Sequence, residues 1–153
     1  MVKKINLSRF IVKLINKIIL SYQNLKLTGD DPVSIYGAFD LIKGEKFSYS
    51  TGLSINHNVY INASGGVSLG ENVSLSAHCQ IISTGLVFKD KKLMNDHYQQ
   101  EIIIGNNVQI GAGAIVLPGV KICDNVIVAA GAVVSRSIVE PGIYIGMPCR
   151  KAS

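Results

Sequence analysis

From Ile104 onward the chain repeats itself every six residues: Ile104-Gly105-Asn106-Asn107-Val108-Gln109, Ile110-Gly111-Ala112-Gly113-Ala114-Ile115, Val116-Leu117-Pro118-Gly119-Val120-Lys121, and three further hexads to Val139. An aliphatic residue opens every hexad, and the fifth place is always Val, Ala or Ile. Six is a multiple of two and not of 3.6, so the pattern suits very short strands that turn a corner at each hexad, the opening residue pointing inward. Three hexads would close one triangular coil, and stacked coils would pair strands in parallel, satisfying backbone groups along the stack. The predicted class is all-β, a parallel β-helix whose interior is a continuous aliphatic column.

The same phase is legible earlier, in Leu69 to Ser74, Leu75 to Gln80 and Ile81 to Leu86, and more raggedly from Leu53 to Val67. It breaks over residues 87–103, which carry Lys89, Asp90, Lys91, Lys92, Asn95, Asp96, His97, Tyr98 and Gln99. A solenoid expels an insertion as a loop, and a long polar loop on a regular scaffold is where function tends to sit. His97 is therefore the first candidate for a reactive side chain. With 153 residues the chain makes a single β-helix domain over 28–153, preceded by a segment at 1–27. Only 16% of its residues are charged and its mean hydropathy is +0.32, so much aliphatic surface must lie in the interior or at contacts between subunits.

Leu7, Phe10, Ile11, Leu14, Ile15, Ile18, Ile19, Tyr22 and Leu25 recur at steps of three and four, which predicts an amphipathic α-helix over residues 5–25. The first 29 residues hold six basic side chains and no acid, while the body is close to neutral. The apolar stripe of this helix either docks on the body or a neighbouring subunit, or lies on an anionic membrane surface. No basic stripe with interleaved aromatics exists, so nucleic acid is not an expected partner. No run of about 20 apolar residues is present and Lys13 and Lys17 interrupt any leader-like stretch, so neither a membrane span nor a signal peptide is expected. Cys79, Cys123 and Cys149 are odd in number and unpaired in sequence, as in a reduced cytoplasmic chain, placed in solution or peripherally at the inner membrane face.

The hexads and the segments Ile102 to Gly111, Leu117-Pro118-Gly119-Val120, Ala130 to Arg136 and Gly146-Met147-Pro148-Cys149-Arg150 resemble the hexapeptide-repeat acyltransferases, most closely the maltose, galactoside and polysaccharide O-acetyltransferases. That resemblance implies a left-handed parallel β-helix with a protruding loop, and a homotrimer with acetyl-CoA held between neighbouring subunits. It further implies direct acetyl transfer to a hydroxyl or amine of a saccharide acceptor, with His97 as general base. Gly113, Ala130, Ser135, Arg136 and Arg150, with Lys151, would meet the coenzyme, and Asn58 the acceptor. No metal is expected.

One departure stands out. The resembled enzymes carry their His at the start of the loop, about where Thr84, Gly85 and Leu86 stand here, and none of these is His. His97, at the far end of the loop, is expected to reach the same space, with Asp96 a candidate to orient it. His78 is the rival base and His57 the weaker one. Two other readings share the scaffold. A zinc hydratase of the γ-carbonic-anhydrase type would use His57, His78 and His97, though the chain lacks that family's close His pair. A non-catalytic scaffold would bind neither coenzyme nor acceptor.

Overall fold

The computed structural model describes residues 33–152 and, before them, Leu14, Ile15, Ile18 and Leu27. Of the helix expected over 5–25, Leu14, Ile15 and Ile18 are helical and exposed, and the remainder lies outside the described residues. From Val33 on, strands of two to four residues wind into a three-faced parallel solenoid. The first face stacks Ser34–Ile35, Ser54–Ile55, Ser74–Leu75, Val108–Ile110, Val126–Val128 and Gly142–Ile145, closed by the antiparallel Arg150–Lys151. The second face stacks Asp40–Ile42, Tyr60–Asn62, Gln80–Ile82, Ile115–Val116 and Val133–Val134. The third stacks Phe47–Tyr49, Val67–Leu69, Ile102–Ile104 and Lys121–Ile122.

The hexad openers do what their period requires. Ile104, Ile110, Val116, Ile122, Val128 and Val134 are buried, and so are the fifth residues Val108, Ala114, Val120, Val126, Ala132 and Ile138. Each hexad thus sends two side chains inward. Stacking aligns them into columns, one of which runs Ile61, Ile81, Val116, Val134. Such a column is a dry interior that no single coil could close alone.

The raggedness before Val67 has a simple cause. Ser34 pairs with Ser54 and Ser54 with Ser74, twenty residues apart, whereas Gln109 pairs with Ile127, eighteen apart. The extra pair of residues sits at one corner, between the second and third faces. There a 3-10 turn, Gly44–Lys46, serves one coil and the Ala63 to Gly66 turn the next. The third coil expels its whole insertion at this same corner. A corner can absorb residues without moving the register of either strand, while one residue inserted in a strand would turn every following side chain to the wrong face.

The other two corners are held by left-handed backbone. Asn72, Asn107 and Asn125 all have φ between 54° and 59° at the third-to-first corner. Their amides form a ladder: Asn72 Nδ2 donates to Asn107 Oδ1 at 3.2 Å, and Asn107 Nδ2 to Asn125 Oδ1 at 3.3 Å. Asparagine tolerates this region better than other residues with a side chain, which explains its recurrence at the fourth place of these hexads. At the first-to-second corner the same role falls to Asn58, His78, Gly113 and Gly131.

Two glycines of the same corner are expected to respond differently to alanine. A Cβ at Gly111 would stand 2.6 Å from backbone atoms of Ala129 and Ala130, whereas one at Gly113 would meet nothing within 4 Å. Gly111→Ala must push two coils apart and should lower Tm steeply. Gly113→Ala carries only the left-handed strain of its φ of +66°, about 1–2 kcal/mol, and should remain folded. Parallel thermal melts check the contrast.

Candidate active site

The insertion is not an irregular loop. Thr84–Lys89 and Lys92–Gln99 form an antiparallel hairpin that projects from the second-to-third corner. Its expected limits of 87–103 therefore shift: Thr84 already belongs to the hairpin, and Ile102–Ile104 is already back in the solenoid, paired with Val67–Leu69. The reason lies in the two turn residues, Asp90 and Lys91, whose φ values of 52° and 61° match the right-handed twist of a two-residue hairpin turn. The foot is pinned by Ser83, a fully buried polar residue. Its hydroxyl donates to the Asn62 carbonyl at 2.7 Å and accepts the Gly65 N–H at 2.8 Å. The Gln100 N–H donates to the Ser83 carbonyl at 3.0 Å, and the Gly119 N–H to the Gln100 carbonyl at 3.3 Å. Both strands thus leave the prism from fixed points.

The register of this hairpin decides where the imidazole stands. His97 is the cross-strand partner of Leu86, and Leu93 that of Phe88, with a bulge between Leu93 and His97. Directly opposed residues project from the same side of a two-stranded ribbon, and residues two apart on one strand do so too. Leu86, Phe88, Leu93 and His97 therefore share one side, and all are exposed. Asp96 Oδ1 accepts the backbone N–H of His97 at 2.8 Å, within the bulge.

The other sequence candidates fall at two corners flanking the second face. Asn58, His78, Gly113 and Gly131 follow one another coil by coil along the first-to-second corner, with Ala130 beside Gly131. The Gly146 to Cys149 turn continues that edge, the Val133 N–H donating to the Gly146 carbonyl at 3.1 Å and the Cys149 N–H to the Val133 carbonyl at 2.9 Å. Arg150 follows, its Nη1 donating to the carbonyls of Pro148 and Cys149 at 3.3 and 3.0 Å. Ser135 and Arg136 lie at the second-to-third corner, two coils along from the hairpin and exposed. One chain therefore puts His97 with Ser135 and Arg136 on one edge, and Gly113, Ala130 and Arg150 on another.

Proteins of known kind share the solenoid. The family described as Bacterial transferase hexapeptide (six repeats) matches residues 101–136. The galactoside O-acetyltransferase of Escherichia coli K12 is 33% identical over 111 residues, which are 68% of this chain and 55% of that protein. The chain belongs to the hexapeptide-repeat transferase family. A solved galactoside acetyltransferase in complex with coenzyme A matches it with a TM-score of 0.59 at 26% identity, over 79% of this chain and 63% of that one. A maltose O-acetyltransferase from Clostridium difficile 630 shares the fold with a TM-score of 0.70 at 22% identity, over 90% and 84% of the two chains. The chain spans about half the length of the curated relative it matches.

Within this hexapeptide-repeat chain the three imidazoles are not gathered. His57 and His78 occupy neighbouring coils at one corner, the His78 N–H donating to the His57 carbonyl at 3.0 Å, while His97 stands on the hairpin at another. Among the described residues no three His, Cys, Asp or Glu side chains are grouped to hold a metal ion. The thiols divide by burial. Cys79, wholly inside, is pushed up to about 12 by desolvation, against the pull of a backbone hydrogen bond; burial also raises Cys149, opposed by the Arg150 charge. Folding keeps Cys79 protonated where the unfolded chain would ionise, so its contribution to stability falls as pH rises from about 9 toward 12. At pH 8 the native protein should leave Cys79 unlabelled by iodoacetamide until denaturant is added, as read by peptide mass spectrometry.

The hairpin register and the Ser83 anchor escaped sequence reasoning. The register could have been read from Phe88-Lys89-Asp90-Lys91-Lys92-Leu93, a polar turn between apolar residues. Ser83 carried no such signal, since its burial depends on the Ala63 to Gly66 turn of the coil beside it.

Proposed function

We propose that this chain transfers an acetyl group from acetyl-CoA directly to a hydroxyl of a saccharide acceptor, with His97 as the general base. The observation that carries the reading is the pairing of His97 with Leu86. The resembled enzymes hold their His in the Thr84 to Leu86 stretch, and an imidazole opposite Leu86 projects from the same side of the ribbon. A neutral imidazole there can take the acceptor's proton as its oxygen attacks the thioester carbonyl; the coenzyme thiolate leaves and no enzyme-bound acyl group forms. The E. coli relative, a galactoside O-acetyltransferase, and the coenzyme A in the solved galactoside acetyltransferase support the acyl donor and the acceptor class.

Because His97 and the Gly113 to Ala130 edge lie at different corners of one prism, a complete site is assembled between two copies. Gly113 and Ala130 of one copy would let the pantetheine arm approach the backbone. His97, Ser135 and Arg136 of the next would face it, the guanidinium meeting phosphate. A homotrimer supplies three such grooves and covers the apolar outer surface of the second face, where Ile42, Ile82, Ile115 and Val133 project. Asn58 lies along the coenzyme edge as an acceptor ligand. A cytoplasmic location fits the donor and three unpaired thiols.

The deciding experiment measures thiol release from acetyl-CoA with a panel of saccharides for the wild type, His97→Ala and His78→Ala. Loss of turnover in the first alone supports the assignment. Loss in the second alone moves the base to the first-to-second corner, and no turnover with any saccharide leaves the scaffold reading.

A further inference from the structure

We propose that the tip of the hairpin is a docking element for an anionic lipid surface. Phe88 and Leu93, directly opposed, are 70% and 65% exposed. The next pair toward the turn is Lys89 with Lys92, on the opposite side of the ribbon, and Lys91 stands at the apex. The tip is thus a small amphipathic blade with apolar rings and methyls on one side and ammonium groups on the other. Asp90 is the single acid among them.

Two occupants could cover such a tip, a lipid surface or a second copy of the chain, and the charge separates them. Lysines are depleted from the cores of protein–protein contacts, because a strongly hydrated ammonium must be stripped or matched there. At a bilayer surface no such conflict arises: Phe88 and Leu93 enter the acyl boundary while the long lysine stems reach back to headgroup phosphates. A second segment of the chain has the same chemistry. Leu14, Ile15 and Ile18 are helical and exposed, and the first 29 residues contain six basic side chains with no acid. His97, opposite Leu86, lies two residues down the ribbon from Phe88, a rise of about 7 Å. The inference does not require acyl transfer, and its test reads binding alone.

The chain has no Trp, so Phe88→Trp places a single indole at the tip. With the full chain, vesicles of phosphatidylcholine containing phosphatidylglycerol are expected to shift its emission to the blue, and brominated acyl chains to quench it. Vesicles of phosphatidylcholine alone should do neither. In co-sedimentation each of Lys89→Gln, Lys91→Gln and Lys92→Gln should weaken partitioning about fivefold at low salt, with Phe88→Ser/Leu93→Ser weakening it further. The proposal is overturned if the indole emission is unchanged on vesicles that bind the protein, which would leave the N-terminal segment as the whole contact. It is equally overturned if the emission is already blue without lipid and turns red on dilution, which would mean that a second copy covers the tip.

Discussion

His97→Ala is expected to lower kcat for acetyl transfer by about 10²- to 10⁴-fold, the range a positioned general base contributes, with little change in the KM for acetyl-CoA. The coenzyme should be indifferent because its proposed contacts are Gly113, Ala130 and Arg150 at another corner and Ser135 and Arg136 two coils along from the hairpin, none of which His97 supports. Folding should be indifferent as well. The side chain is exposed, and the anchors of its hairpin are the Ser83 and Gln100 hydrogen bonds at the foot. The pairing register supplies a sharper test. Since Leu86 and His97 are directly opposed, Leu86→His in the His97→Ala background returns an imidazole to the same side of the ribbon, displaced by one strand spacing of about 4.8 Å. A partial recovery of kcat in the double variant is expected. Full activity in His97→Ala, or the same loss from His78→Ala with no recovery by Leu86→His, would remove the assignment.

The largest expected effect on stability is in the aliphatic column. Ile81 is fully buried, between Ile61 on one coil and Val116 on the next. Ile81→Ala should cost about 2–5 kcal/mol, because strands stacked on both sides cannot close the void without breaking their ladders. Ile81→Val should cost about 0.5–1.5 kcal/mol, losing one methylene with little rearrangement. Ile81→Asp should not give a native fold at neutral pH, since a carboxylate in the column would have no partner. Guanidinium melts of the first two, and far-ultraviolet circular dichroism with size-exclusion profiles of the third, check the order. A solenoid of few coils has no surplus of interface, so a single break is expected to abolish cooperative unfolding and not only shift its midpoint.

Most of the solenoid was legible in the sequence because its physics is local and periodic. An aliphatic residue at every sixth place can only line an interior if the chain turns after each short strand, and Ile104, Ile110, Val116, Ile122, Val128 and Val134 are buried as that requires. The earlier coils were harder to read because Ala63 to Gly66 and Lys43 to Lys46 each lengthen one corner, which shifts the phase without disturbing the strands. His97 was legible only as an imidazole in the longest stretch that leaves the repeat.

What the tertiary structure alone decided is position. The insertion's residues are polar enough for a loop; it is the left-handed turn at Asp90 and Lys91 and the bulge before His97 that make it a ribbon and set His97 against Leu86. Likewise Gly113 and Ser135 stand on different edges, because the chain between them winds one full coil and then crosses the second face. Periodicity in the sequence dictates which side chains face inward, since burial of aliphatic surface is a property of each hexad. Which outward side chains share an edge depends on how many residues each corner expels, and that is settled only when the coils stack.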